Sequence, residues 1–363
     1  MPHARGADPG ADHVPGADHG DCADTAPGGV RARVVRADRG AVLVVPADDL
    51  HAEPRRATLD RDGLAPGPED ERLVPTVGDH VSVRDDHVVA VAARRSALVR
   101  DSAGTTSREQ VLAAGVDVVL VVEHLDPDPD LGRVERLLTL AWRSGARPVV
   151  VLTKADLVPD AAGMAAEVAD VAPAVDVHAV SVARDEGLEP LRALVCPGAT
   201  LVVVGPSGAG KSTLVNALAG CEVMATGERR DADGRGRHTT THRELVALPG
   251  GACLIDTPGI RGIGLVADDD ALEHTFSDVV ALAGTCRFAD CEHRGEPGCA
   301  VLAAIAAGDL PQRRLDSWRK LAREAAYQAR RVDSRLAAQE RARWKQVTKE
   351  YQRGMRGPGR PRT

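Results

Sequence analysis

Aromatic residues are nearly missing from this chain of 363 residues: three Trp, two Tyr and two Phe make up 2% of it. That excludes a surface that reads nucleic acid mainly by stacking bases, and it leaves the core to aliphatic side chains. Long apolar runs are missing as well. A run such as Val118 to Val122 falls far short of the roughly 20 residues that cross a bilayer, and the N-terminus has no apolar signal core. A soluble, unexported, cytoplasmic protein with no membrane partner is expected. There is no excess of positive charge: the formal net charge is −7, so any nucleic-acid contact must come from a local basic patch. Lysine is scarce, 5 of the 46 basic residues against 41 arginines, a bias of codon usage rather than of function. An even cysteine count is missing too. Seven cysteines in a chain without an export signal argue against a disulfide framework. What is present is an ordinary globular balance, 43% hydrophobic and 27% charged, at a length that suits two or three domains.

The chain divides by character. Residues 1–27 repeat Gly-Ala-Asp loosely and cannot bury a core, so a disordered extension is expected, with His3, His13 and His19 solvated. Residues 28–100 carry short β-branched runs (Val30 to Val35, Ala41 to Val45, Val81 to Val83, Val88 to Val91) punctuated by Gly and Pro, the pattern of a small β-barrel. Arg55, Arg56, Arg94, Arg95 and Arg100 add basic points, and both a generic and a nucleic-acid-binding barrel stay open. In residues 101–267 apolar runs at Val118 to Val122, Val149 to Leu152, Leu201 to Val204 and Cys253 to Ile255 read as buried parallel strands. Helical stretches such as Leu131 to Ser144 and Ser212 to Leu218 lie between them, as in a doubly wound α/β domain. Residues 268–340 turn helical around a Cys/His cluster. Residues 341–363 form a basic tail with eight Lys/Arg against Glu350 alone.

The strongest motif is Gly205-Pro206-Ser207-Gly208-Ala209-Gly210-Lys211-Ser212, followed by Thr213. It matches G-x-x-x-x-G-K-[ST] between a strand and a helix. Glycines let backbone N–H groups converge on phosphate oxygens at the positive end of a helix. Lys211 would reach the β- and γ-phosphates, and the Ser212 hydroxyl would serve Mg²⁺. Asp256-Thr257-Pro258-Gly259 follows the next apolar strand, 45 residues after Lys211. Asp256 suits a magnesium-bound water there, and the Gly259 amide suits the γ-phosphate.

Thr153-Lys154-Ala155-Asp156 decides the base. A carboxylate at Asp156 accepts from guanine N1–H and the exocyclic amine together, whereas adenine would leave it unpaired. The Lys154 stem can cover the base plane, and Ser181-Val182-Ala183 suits the companion loop at guanine O6. At Gly236-Arg237-His238-Thr239-Thr240-Thr241, a threonine hydroxyl, Thr241 or Thr240, would complete the Mg²⁺ shell. Ile260 stands where many GTPases place a water-orienting glutamine, so His238 is the candidate for that task. The guanine motif precedes the P-loop by about fifty residues, the reverse of the ordinary order. That is a circular permutation, which domains tolerate because their termini often lie close.

Cys286-x₄-Cys291-x-His293-x₅-Cys299 is a closed set of three thiols and one imidazole, typical of structural Zn²⁺. A redox thiol group is the competing reading. Cys22, Cys196, Cys221 and Cys253 are dispersed and read as incidental thiols.

Over about residues 28 to 340 these motifs resemble the RsgA (YjeQ) family of permuted, ribosome small subunit-dependent GTPases. The resemblance rests on Thr153 to Asp156, Gly205 to Thr213, Gly236 to Thr241, Asp256 to Gly259 and the Cys286/Cys291/His293/Cys299 set. Arg94-Arg95-Ser96 and Leu125-Asp126-Pro127 also look like the family. It implies an OB-type fold for the barrel, GTP/GDP, Mg²⁺ and one Zn²⁺ as ligands, and the small ribosomal subunit and its rRNA as partners. It further implies action late in subunit assembly near the decoding region, by a monomer whose GTPase the subunit stimulates. Thr153 departs from the commoner Asn, and its single hydroxyl predicts a weaker tie to the P-loop. Gly208 stands where some GTPases carry a potassium-binding Asn. A nucleotide-dependent RNA-binding module with incidental hydrolysis is the other functional class, and Ile260 leaves it room.

Overall fold

In the computed structural model of the protein the described residues are 29–101, 109–224, 243–256 and 268–332. The N-terminal part closes into a five-stranded barrel. Its strands are β1 (Val30–Asp38), β2 (Ala41–Pro46), β3 (Arg55–Thr58), β6 (His80–Arg84) and β7 (His87–Val91), with the two-residue pair β4 (Ala65–Pro66) and β5 (Arg72–Leu73) beside them. Strand β1 pairs with both β2 and β6, and β3 meets β7 at Thr58 and His87, which closes the ring. Successive side chains on a strand face opposite ways. Ala32, Val34, Val42, Val44, Val81 and Val91 therefore fill the barrel, and a register shift in the β6–β7 pairing turns Val88 inward as well, while Val35 and Val45 join the core of the next domain.

The central sheet runs in the order β12 (Asp176–Ala179), β11 (Arg147–Thr153), β10 (Val118–His124), β13 (Thr200–Val204), β15 (Cys253–Asp256), β14 (Glu244–Ala247). All pairs are parallel except β14 on β15. The inner strands β10, β11, β13 and β15 each carry an apolar run because both faces are covered there. Val119, Val121, Val150 and Leu152 pack under α1 (Leu131–Arg143) and α2 (Ala161–Ala169). Val118, Leu120, Val122 and Val151 pack under α3 (Glu189–Arg192) and α4 (Lys211–Ala219). A hairpin of β8 (Ala97–Asp101) and β9 (Glu109–Ala114) adds Leu98 and Leu112 to the first face.

Strand pairing and a buried arginine help to seat the barrel on this sheet. Strand β1 pairs with β14 at Arg36 and Glu244, so the hydrogen-bonded sheet runs on from one domain into the other. Arg33 is buried, and its guanidinium donates to Gly78 O at 3.1 Å, Gly115 O at 3.2 Å and Thr200 Oγ1 at 2.8 Å. Burial holds this cation below its ordinary pKa. The barrel arginines are thus not uniformly free for phosphate. Arg94, expected as a basic point, makes a two-pronged pair with buried Asp79 at 2.8 and 2.7 Å, and Arg100 donates to Gln110. Arg55 and Arg56 do face solvent.

The C-terminal helices α5 (Asp269–Thr275), α6 (Ser277–Ala283), α7 (Ala300–Ala307) and α8 (Gln312–Val332) share a small core of Leu272, Phe276, Val279, Val301, Leu315 and Leu321. They rest on α1, where Thr139 Oγ1 meets Thr275 Oγ1 at 3.1 Å. No helix among the described residues is long and apolar enough to cross a membrane.

Candidate nucleotide site and metal centre

Parallel strands end at one sheet edge, and the loops that follow them form the site. After β13 the chain turns at Gly205, whose φ is +148°. A Cβ there would stand 2.0 Å from Val122 O, so only glycine fits. Gly208 and Gly210 are left-handed, with φ near +78° and +77°, which lets successive amides turn toward a common centre at the start of α4. Ala209 is buried and anchors the loop in the core. Pro206 and Ser212 are half-buried, and Ser207, Gly208 and Thr213 are exposed. Lys211 Nζ lies across the loop, 3.0 Å from Gly205 O and 2.5 Å from Pro206 O.

Strand β11 ends at Thr153, which is buried, and Lys154 follows in the left-handed region at φ +61°. The Thr153 Oγ1 is 2.8 Å from Ala209 O and 3.2 Å from Glu123 O. One hydroxyl proton serves one acceptor at a time, so the shorter contact ties the guanine motif to the P-loop. Ala155 N donates to Val180 O at 3.1 Å. Asp156 Oδ1 accepts from Ser181 Oγ at 2.7 Å. That hydroxyl, the Asp156 amide and the Arg184 charge hold the carboxyl below its ordinary pKa. The Ser181 loop is closed by reciprocal amide bonds to Glu186 at 3.0 Å, with Val182 half-buried beside it. Gly187 is required there, because a Cβ would lie 2.5 Å from Ala179 O.

One edge therefore gathers Thr153, Lys154, Ala155, Asp156, Ser181, Val182 and Gly205 to Thr213, although the guanine motif comes first in the chain. Asp256 ends β15, the strand beside β13. His238, Thr241, Thr240, Gly259 and Ile260 lie outside the described residues, as do the N-terminal extension and the basic tail. The sequence reading missed Glu123. Its buried carboxylate is gripped by Arg133 of α1 at 2.7 and 3.1 Å, and its carbonyl is the second acceptor for Thr153. A glutamate at the end of a valine run carries no mark of this in the sequence.

The four residues of the Cys/His set come together as the spacing suggested, with all ligand atoms within 4.8 Å of one another. Cys286 Sγ is 3.6 Å from His293 Nδ1 and 4.0 Å from Cys299 Sγ, and His293 Nδ1 is 3.4 Å from Cys299 Sγ. Ordinary Zn–S and Zn–N bonds in a tetrahedron give edges of about 3.8 Å between sulfurs and about 3.6 Å from sulfur to nitrogen, so the donors fit zinc. Burial raises the Cys286 thiol, but the Ala300 and Val301 amides and the neighbouring thiols outweigh it and leave the pKa lowered. Burial and the adjacent sulfurs push Cys291 up to about 12. Three thiols so close need a cation to ionise together. Cys299 Sγ also accepts from Leu302 N at the start of α7. Glu296 pins the loop around His293, whose φ is +59°, by accepting from the Glu292, Arg294 and Gly295 amides. Its own amide first of all, and then those three, hold the Glu296 carboxyl down to about 2.

The profile of the RsgA GTPase family matches residues 91–266. The small ribosomal subunit biogenesis GTPase RsgA of Streptomyces avermitilis is 50% identical over 331 residues, which covers 89% of this chain and 87% of that one. The chain belongs to the RsgA GTPase family. The RsgA of Opitutus terrae is 49% identical over 291 residues, 76% of this chain and 79% of its own. In fold, the chain is similar to YjeQ from Thermotoga maritima, with a TM-score of 0.59 and 24% identity over 82% of this chain and 98% of that one. It is also similar to YloQ, a circularly permuted GTPase, with a TM-score of 0.56, 21% identity, and 82% and 96% covered. The RsgA fold thus accounts for both the barrel and the permuted sheet. RsgA GTPases hydrolyse GTP, which requires GTP and Mg²⁺ at a site of this kind.

Proposed function

We propose that this chain hydrolyses GTP to GDP and phosphate as a maturation factor of the small ribosomal subunit. The observation that carries the reading is the tie from Thr153 to Ala209, which brings a guanine-reading carboxylate and a P-loop to one edge. Asp156, kept ionised by Ser181, accepts two guanine N–H groups. The Lys154 stem covers the base, and the Ala155 and Val182 backbones line it. The amides of Gly205 to Thr213 hold the phosphates. Lys211 leaves the loop carbonyls for the β- and γ-phosphates, where its charge counts most as negative charge shifts in the transition state. Ser212, Thr241 and Asp256 would hold Mg²⁺, which neutralises phosphate charge when bound. The Gly259 amide would sense the γ-phosphate, and His238 would orient the attacking water.

The chain after Asp256 leads straight into the helical domain, so nucleotide state can change the seat of that domain on the subunit. Exposed Arg55 and Arg56, with the basic tail, supply rRNA phosphate contacts, and these release counterions. The protein acts late in assembly, as a cytoplasmic monomer. Single-turnover hydrolysis of GTP with and without purified small subunits tests the function. A rate raised by the subunit, and cut about 10²-fold or more by His238→Ala at unchanged GTP affinity, is the expected result. A rate indifferent to subunits would favour an RNA-binding module with incidental hydrolysis. Co-sedimentation across a salt series should show binding that weakens steeply with salt and is tighter with a non-hydrolysable GTP analogue than with GDP.

A further inference from the structure

Helix α1 has two working faces. Val134, Leu138 and Ala141 lie in the core beneath β10 and β11. Glu135, Arg136 and Thr139 meet the C-terminal helices. The Glu135 carboxylate is fully buried. Its Oε1 accepts from Arg313 Nη2 at 2.7 Å and Arg314 Nη1 at 2.8 Å, and its Oε2 accepts from the Ser317 hydroxyl. Arg314, itself 1% exposed, also donates to Thr275 O and to both oxygens of Asp278, and lies 4.3 Å over the Phe276 ring. A more exposed pair stands beside it, Arg136 on Glu324 at 2.6 and 2.8 Å.

Two bonded chains start from this joint. Toward the nucleotide edge, Arg133 of α1 grips Glu123 at the end of β10, β10 pairs with β11 up to Thr153, and the Thr153 hydroxyl donates to Ala209 O of the P-loop. Toward the metal centre, α8 carries Arg319, whose Nη2 donates to His293 O at 2.6 Å. Apolar faces can slide on one another, but a buried ionic contact tolerates little misalignment, because a displaced charge is left unpaired. Docking of the C-terminal helices therefore sets α1 in one register.

We propose that Glu135 is a positioning residue through which the docked zinc-bearing domain holds the nucleotide loops in binding geometry. Metal occupancy and guanine-nucleotide affinity are then linked, each raising the other by the same factor. The inference rests on the nucleotide reading above.

The test is titration of the full-length, zinc-loaded chain with fluorescent GDP, with metal content measured alongside. Glu135→Gln should weaken GDP binding at least about fivefold, the lower bound of typical coupling, while zinc stays bound. Stripping zinc from the unaltered chain should weaken GDP by a similar factor, and stripping it from Glu135→Gln should add less than about twofold. Glu135→Gln removes one of the two carboxylates that face buried Arg314, leaving Asp278, and can unfold the joint, so the half-buried Arg136–Glu324 pair supplies a second arm. Arg136→Glu and Glu324→Arg should each weaken GDP, and the two together should restore it. Affinities within twofold for Glu135→Gln and both single reversals would overturn the proposal. So would a zinc effect as large in Glu135→Gln as in the unaltered chain. An unaltered chain that binds no GDP would instead overturn the nucleotide reading, and the coupling with it.

Discussion

Thr153→Val isolates the bond between the guanine motif and the P-loop. Valine keeps the shape of threonine and removes the hydroxyl, so packing at this buried position is nearly unchanged. The Ala209 carbonyl loses its donor at 2.8 Å. A buried carbonyl left without a partner costs about 1–3 kcal/mol. The residues on either side of Ala209 are left-handed glycines, which have wide conformational freedom. The untied loop can turn that carbonyl toward water and so avoid most of the cost. Nucleotide binding must then order the loop again, so the same free energy reappears as lost affinity, roughly 5- to 150-fold for GDP. Thr153→Ser keeps the hydroxyl and loses one methyl, and should bind close to the unaltered chain. Base preference should hold in both variants, because Asp156 and Ser181 are untouched. Equilibrium titration with fluorescent GDP, with ADP as competitor, reads all of this. Thr153→Val binding GDP within twofold of the unaltered chain would show that the P-loop is placed without this bond.

Asp156→Asn should weaken GTP roughly 10- to 150-fold, the range of charged hydrogen bonds, with ADP affinity little changed in the same titration. The Asp156 carboxyl lies below its ordinary pKa chiefly because of the Ser181 hydroxyl, and its ionised form reads guanine. The GDP-to-ADP affinity ratio, in which the shared phosphates cancel, should therefore stay flat from pH 7 down through the ordinary carboxylate range near 4 and fall only below it. Ser181→Ala should move that fall to higher pH. About one zinc per chain is expected by metal analysis. Cys291→Ala should abolish it and unfold the C-terminal helices, while the G-domain sheet keeps its amide-exchange protection.

Much of the architecture was determined along the chain. Each core strand of the central sheet is an apolar run, because both faces are covered. The P-loop glycines mark backbone turns that local sterics demand, and the four metal donors lie within fourteen residues. Such features depend on neighbours in sequence, so spacing alone reports them, and the permuted order of the motifs could be read directly. Strand β3 left no such mark, since only Ala57 of its four residues is buried, and its pairing partners are supplied from elsewhere. The fate of charged residues was likewise decided in three dimensions. Arg55 and Arg94 look alike in sequence, yet one faces solvent and the other is locked to Asp79, fifteen residues away. Arg33 and Glu135 look like surface charges until Thr200, 167 residues on, and Arg314, 179 residues on, arrive beside them. A carboxylate or guanidinium can be buried only when its partners are in place. Those partners come from strands and helices whose adjacency is a property of the sheet order and the domain docking, which no local pattern encodes.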